Sequence, residues 1–158
     1  MNVRSTVAVA AVLGSLAAGG AWTSWRPVGG ADLTARHSTQ AMKWTATLES
    51  VGGSTVKGTA TLAPGATAGT AVATLSITGG TAGAAYPWHV HVGKCPTGGV
   101  FGGGAAYKPL TAGSDGSGTS TANLPVASPS TGDYHVNVHA SATDMKTIVA
   151  CGDLKMVM

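Results

Sequence analysis

From residue 42 onward the chain alternates. Met42, Trp44, Ala46 and Leu48 fall between Lys43, Thr45, Thr47 and Glu49. That period of two sends one face of a β-strand into a core and the other into water. Val51-Gly52-Gly53-Ser54 is a turn signal. Val56, Gly58, Ala60 and Leu62 then alternate with Thr55, Lys57, Thr59 and Thr61, so the two runs predict a β-hairpin. The segment 64–69 turns the chain again, and Ala71, Ala73, Leu75 and Ile77 form the apolar face of a third strand. The segment 79–85 predicts a loop and 86–92 a fourth strand. The segment 98–104 is too rich in glycine for a strand and predicts a surface loop. Asp115-Gly116-Ser117-Gly118 predicts a turn, followed by a strand over 119–124 with Ala122 and Leu124 inward. The segment 125–132 connects to a strand over 134–139, with Tyr134, Val136 and Val138 on one face. The segments 148–151 and 154–157 complete the set, and 140–147 is left as a loop. Seven or eight short strands with turn signals between them, and no helical period, predict an all-β sandwich or flattened barrel.

Composition supports that picture. Only 9% of the 158 residues are charged, and Gly, Ala, Ser and Thr dominate, which suits short strands and many turns. The formal charge of +3 is spread along the chain. No Lys/Arg run offers a footprint for nucleic acid.

The first residues read as an export signal. Arg4 precedes an apolar run over 7–18, and small residues follow at 17–21. The run is too short to span a bilayer and has signal-peptide length. The expected organisation is therefore a signal peptide over 1–21, a linker over 22–40 holding Trp22, Trp25 and His37, and one β domain over 41–158. The expected location is periplasmic or secreted, with no stable membrane insertion once the signal is cleaved. Two cysteines in an exported chain suggest one disulfide, Cys95 to Cys151, closing a long loop. Ligation of a metal by both thiols is the rival reading.

The histidines are not scattered. His89 and His91 alternate with Trp88, Val90 and Val92, while His135 and His139 alternate with Tyr134, Val136 and Val138. All four occupy the faces opposite the apolar residues, so a core can be built without them, and the plain alternative is four exposed side chains. Positions i and i+2 on a strand lie about 6.6 Å apart on one face. Two imidazoles at that separation can meet one ion through bonds near 2 Å, so His89 and His91 can share a metal. Positions i and i+4 lie about 13 Å apart. One of His135 and His139 can therefore join the pair from a neighbouring strand, and the other cannot. Neutral imidazoles suit copper and zinc.

With these residues in view the chain resembles the copper/zinc superoxide dismutases. Lys43-Trp-Thr-Ala-Thr-Leu, Val56-Lys-Gly-Thr-Ala and Trp88-His-Val-His-Val-Gly are similar to that family's first strands. Gly113-Ser-Asp-Gly-Ser-Gly with Ala122-Asn-Leu, then Val136-Asn-Val-His-Ala and Ile148-Val-Ala-Cys-Gly, are similar to its later ones. The likeness spans about residues 42–154. It implies a Greek-key β-sandwich or flattened barrel of about eight antiparallel strands. It also implies that copper binds to His89, His91 and His139, with a Cys95–Cys151 disulfide; His135 and Asn137 are candidates to support the site from behind. The departures are as informative. Residues 96–113 contain neither His nor Asp, so the family's zinc site and its bridging histidine have no match. Ile148, Val149 and Ala150 stand where the family carries an arginine that draws superoxide to copper, and Lys146 is the nearest cation. The stretch Tyr134-His-Val-Asn-Val-His also resembles the CHRD-type domains. The expectation is an exported protein that binds one copper per chain and no zinc, and that buffers or delivers the metal. An active dismutase using copper alone, and a β module without metal, are the alternatives.

Overall fold

The computed structural model describes residues 42–157; the expected signal peptide and linker, with Trp22, Trp25 and His37, lie outside the described residues. Nine strands follow in chain order: β1 Lys43–Ser50, β2 Lys57–Pro64, β3 Ala71–Thr78, β4 Ala85–Tyr86, β5 Trp88–Val92, β6 Leu110–Thr111, β7 Gly118–Leu124, β8 Tyr134–Ser141 and β9 Asp144–Val157. One 3-10 turn, Gly104–Ala106, interrupts the glycine-rich stretch. Seven strands form one antiparallel sheet in the order β5-β8-β9-β1-β2-β3-β7, and β4 pairs with β6 in a small second sheet. Among the described residues no helix is long and apolar enough to cross a membrane.

The sheet curls around the apolar side of each alternation. Leu48, Leu62, Leu75, Ile77, Trp88, Val90, Leu110, Leu124, Val136 and Val138 are buried in a single cluster. Burying a Leu, Ile or Val side chain is worth about 1.5–3 kcal/mol, so strand register follows from keeping these residues inside. The indoles inside are satisfied: Trp44 Nε1 donates to the Pro129 carbonyl at 2.8 Å, and Trp88 Nε1 to that of Lys108 at 3.0 Å. On the other face, hydroxyls stand in register across four strands. Thr45 pairs with Thr61, Thr61 with Thr74 and Thr74 with Thr121, and beside them Thr47 pairs with Thr59, Thr59 with Ser76 and Ser76 with Thr119.

Three local features differ from the pattern-based expectation. The strand predicted over 86–92 divides at Pro87, which has no N–H to give a ladder; β4 turns to β6 while β5 turns to β8. The last two predicted strands are one 14-residue strand, β9. It pairs with β8 up to Leu154 and with β1 out to Val157. Gly152 lies where the two ladders overlap, and a Cβ there would run into the Thr47 carbonyl oxygen, so only glycine permits this approach. The loop predicted over 140–147 is a tight hairpin instead. Ser141 pairs with Asp144, and the Asp144 N–H donates to Ser141 Oγ at 3.1 Å.

Candidate metal site

β5 and β8 run side by side with Trp88 opposite Val138, His89 opposite Asn137, Val90 opposite Val136 and His91 opposite His135. The apolar residues point into the core. His89, His91, His135, Asn137 and His139 share the opposite face, as the alternation requires. That face is not open to water. The chain leaving β5 folds back across it and extends the strand's outer edge: Val92 N–H donates to the Gly99 carbonyl at 2.9 Å, and Phe101 N–H to that of Val90 at 2.8 Å. His91 is 7% exposed, His139 5%, Asn137 2% and His135 0%. His89 alone remains partly exposed.

The covering segment is tied down side chain by side chain. His91 Nδ1 donates to the Gly98 carbonyl at 3.0 Å, and His135 Nδ1 to that of Gly93 at 2.9 Å. Asn137 Nδ2 donates to the Pro96 carbonyl at 2.8 Å. The Cys95–Cys151 disulfide joins the segment to β9, with a sequence separation of 56, and the Cys95 N–H donates to Asp153 Oδ1 at 2.9 Å. Asn137 Oδ1 touches Cys151 Sγ at 2.9 Å; a disulfide sulfur carries no proton, so this is a contact and not a hydrogen bond. A Cβ on Gly98 would meet the Val92 carbonyl oxygen. Glycine is therefore required at the residue whose carbonyl orients His91.

Under this cover His89, His91 and His139 bring one ring nitrogen each to within 4.8 Å of one another. His89 Nδ1 and His139 Nε2 are 3.3 Å apart. Two metal–nitrogen bonds of about 2 Å span at most about 4 Å, so that pair already fits one ion. A pair at the 4.8 Å limit needs to draw in by less than about an ångström. The donor set is three imidazoles with no carboxylate, which suits copper or zinc and is poor for calcium or magnesium. His91 has spent Nδ1 on the Gly98 carbonyl, which leaves Nε2 as its only free lone pair, and that atom is buried with no partner. His139 Nδ1 and His135 Nε2 are buried and unpartnered as well. A break in register places His139 opposite Ile148 whereas Val138 faces Ala150. Such a bulge re-aims a side chain, and the His139 N–H closes on the Pro87 carbonyl at 2.8 Å.

The electrostatics keep these rings neutral. The pKa of His89 is lowered to about 4, first by burial, then by repulsion from His139 and His91. That of His91 is lowered by burial and by His135, against the opposing Gly98 hydrogen bond. That of His139 is lowered by burial and then by His91, partly opposed by the backbone of Met145. Neutral imidazole is the form that binds metal.

His135 lies on this face too, but outside the group of three. Its ring stacks on His91 at 5.1 Å between centroids and 17° between planes. Tyr107 is a contact that alternation along the chain gives no signal for. Its ring meets His89 and Trp88 edge-on, each at 5.2 Å, and its hydroxyl donates to the Phe101 carbonyl at 2.8 Å. Burial raises its pKa, so it too stays neutral. Compared with models of known protein families and with curated proteins, the chain matches none.

Proposed function

We propose that this is an exported copper-binding protein, in which His89, His91 and His139 hold one copper ion and the chain buffers or delivers it. The observation that carries this reading is the convergence of three ring nitrogens within 4.8 Å under a pinned cover, with His91 Nε2 buried and lacking any protein partner. Copper stands above zinc in affinity for a given nitrogen site, and the likeness of His89-Val-His91 to the dismutase motif points the same way. Bound copper supplies reversible one-electron chemistry. The chain's own part is to keep three imidazoles neutral, fix their free nitrogens and shield two of the three rings from water.

A dismutase using copper alone is the second reading. The partial exposure of His89 favours it, because a small ligand can approach the cluster from that side. Against it stand Ile148, Val149 and Ala150 in place of the cation that would draw in superoxide, and the tight hairpin at Ser141–Asp144 in place of a charged guiding loop. Metal analysis of protein expressed for export tests the first reading, with close to one copper per chain expected. Protein that leaves copper in the flow-through after loading and desalting would overturn it in favour of a metal-free β module. A superoxide assay on the copper-loaded protein separates binding from dismutation.

A further inference from the structure

His135 is fully buried, yet it is neither part of the three-ring group nor part of the apolar core. Its Nδ1 must carry the proton, because its partner there, the Gly93 carbonyl at 2.9 Å, can only accept. Its Nε2 has no partner. What its ring does contact is the face of His91, nearly parallel at 17°. His91 in turn has one hydrogen bond on its ring, Nδ1 to the Gly98 carbonyl at 3.0 Å. That carbonyl belongs to an exposed glycine in the covering loop. A single bond to such an atom sets which way the ring faces but leaves its plane free to rock, because the last torsion is broad for histidine. A second aromatic plane laid against it limits that rocking.

We propose that His135 is a positioning residue: its ring, stacked on His91, keeps that imidazole from rocking off the Gly98 carbonyl that sets its tautomer, and so keeps Nε2 presented to His89 and His139. The stack also sets a preference between oxidation states. A metal-bound imidazole draws more positive charge from Cu(II) than from Cu(I), and the π-face of an aromatic ring attracts positive charge. Removing the plane therefore weakens Cu(II) binding more than Cu(I) binding. This redox part rests on the copper reading above; the positioning part does not.

Two variants separate the plane from the hydrogen bond. His135→Asn keeps a donor for the Gly93 carbonyl and removes the ring. His135→Phe keeps an aromatic plane and removes the donor. In the metal-free protein at pH 8, long-range proton–nitrogen spectra of the imidazoles report the His91 tautomer. A single Nδ1–H tautomer is expected for the unaltered protein and for His135→Phe, and a mixture for His135→Asn. Competition titrations with Cu(II), and anaerobically with Cu(I), should show His135→Asn losing about tenfold in Cu(II) affinity, at the lower end for residues behind a ligand. Its Cu(I) loss should be smaller, and His135→Phe should stay within about threefold of the unaltered protein. A single His91 tautomer in a folded His135→Asn variant would overturn the positioning role even if copper binds. An unaltered protein that takes up no copper would overturn the redox part and the function proposed above, and the spectra would still decide the positioning role. Equal losses in both oxidation states would overturn the redox preference alone.

Discussion

At the scale of single residues, two rings in the cluster take their aim from features that are not offered to metal. His91 commits Nδ1 to Gly98, and His139 takes its aim from the break in register beside it. Replacing His89, His91 or His139 by Ala should cost more than the roughly 100-fold that altering a supporting residue costs, measured by competition titration of copper. Acid tests the same residues differently. The folded pKa of His89, about 4, lies below the ordinary imidazole value of 6.5, so between these values the unfolded chain holds a proton that the folded chain refuses. Stability of the metal-free protein should therefore be flat above about pH 7 and fall as pH drops from about 6.5 towards 4. Urea unfolding across that range checks the sign, and a rise in stability on acidification would contradict it. The placement of the histidines opposite the apolar residues was legible from alternation alone. Their burial was not, because a period of two says which face a side chain takes and nothing about what later crosses that face. The clue lay in Cys95, a staple sited directly after β5.

Among the elements, the segment leaving β5 decides most about the site. It carries the Gly93, Pro96 and Gly98 carbonyls that hold His135, Asn137 and His91, and one disulfide fastens it to β9. Replacing Cys95 and Cys151 together by Ser should lower stability by about 4 kcal/mol, from the loop closed, read by denaturant unfolding. Copper affinity should fall in the same variant, because His91 loses its anchor when the segment lifts. Thiol titration of the unaltered protein under denaturing, non-reducing conditions should find no free thiol among the two cysteines. The strands themselves were legible to within a residue or two from Trp44 to Ile77, where apolar and polar positions alternate without interruption. Legibility ended at β9, where Gly152 and Asp153 break the apolar rhythm and suggest two strands. The continuity there is set by pairing with β8 and β1 together, a tertiary fact that local pattern does not carry. The two-residue strands β4 and β6 are too short to leave a period at all.

For the molecule as a whole, the described residues hold one group of three or more side chains able to share a metal ion, His89, His91 and His139. Loading with excess copper and zinc should therefore leave close to one ion per chain, as counted by elemental analysis after desalting. Two retained ions, with zinc beside copper, would mean that a further site exists. The antiparallel architecture was legible as a class from seven or eight short alternating runs. The order in which strands meet was not, because alternation carries no information about which strand lies next to which.

The hydroxyl-clad outer face carries a consequence of a different kind. Proteins that stay soluble by charge respond to the ions around them, since salt shortens the reach of every surface field. Here the ranks running from Thr45 to Thr121 and from Thr47 to Thr119 meet water with neutral groups. The ion pair among the described residues, Lys57 to Glu49 at 3.5 Å, is largely exposed at both ends and contributes about 0–1 kcal/mol. Salinity therefore has little to act on. The thermal midpoint should stay nearly constant from dilute buffer to about 1 M sodium chloride, where the screening length is only about 3 Å.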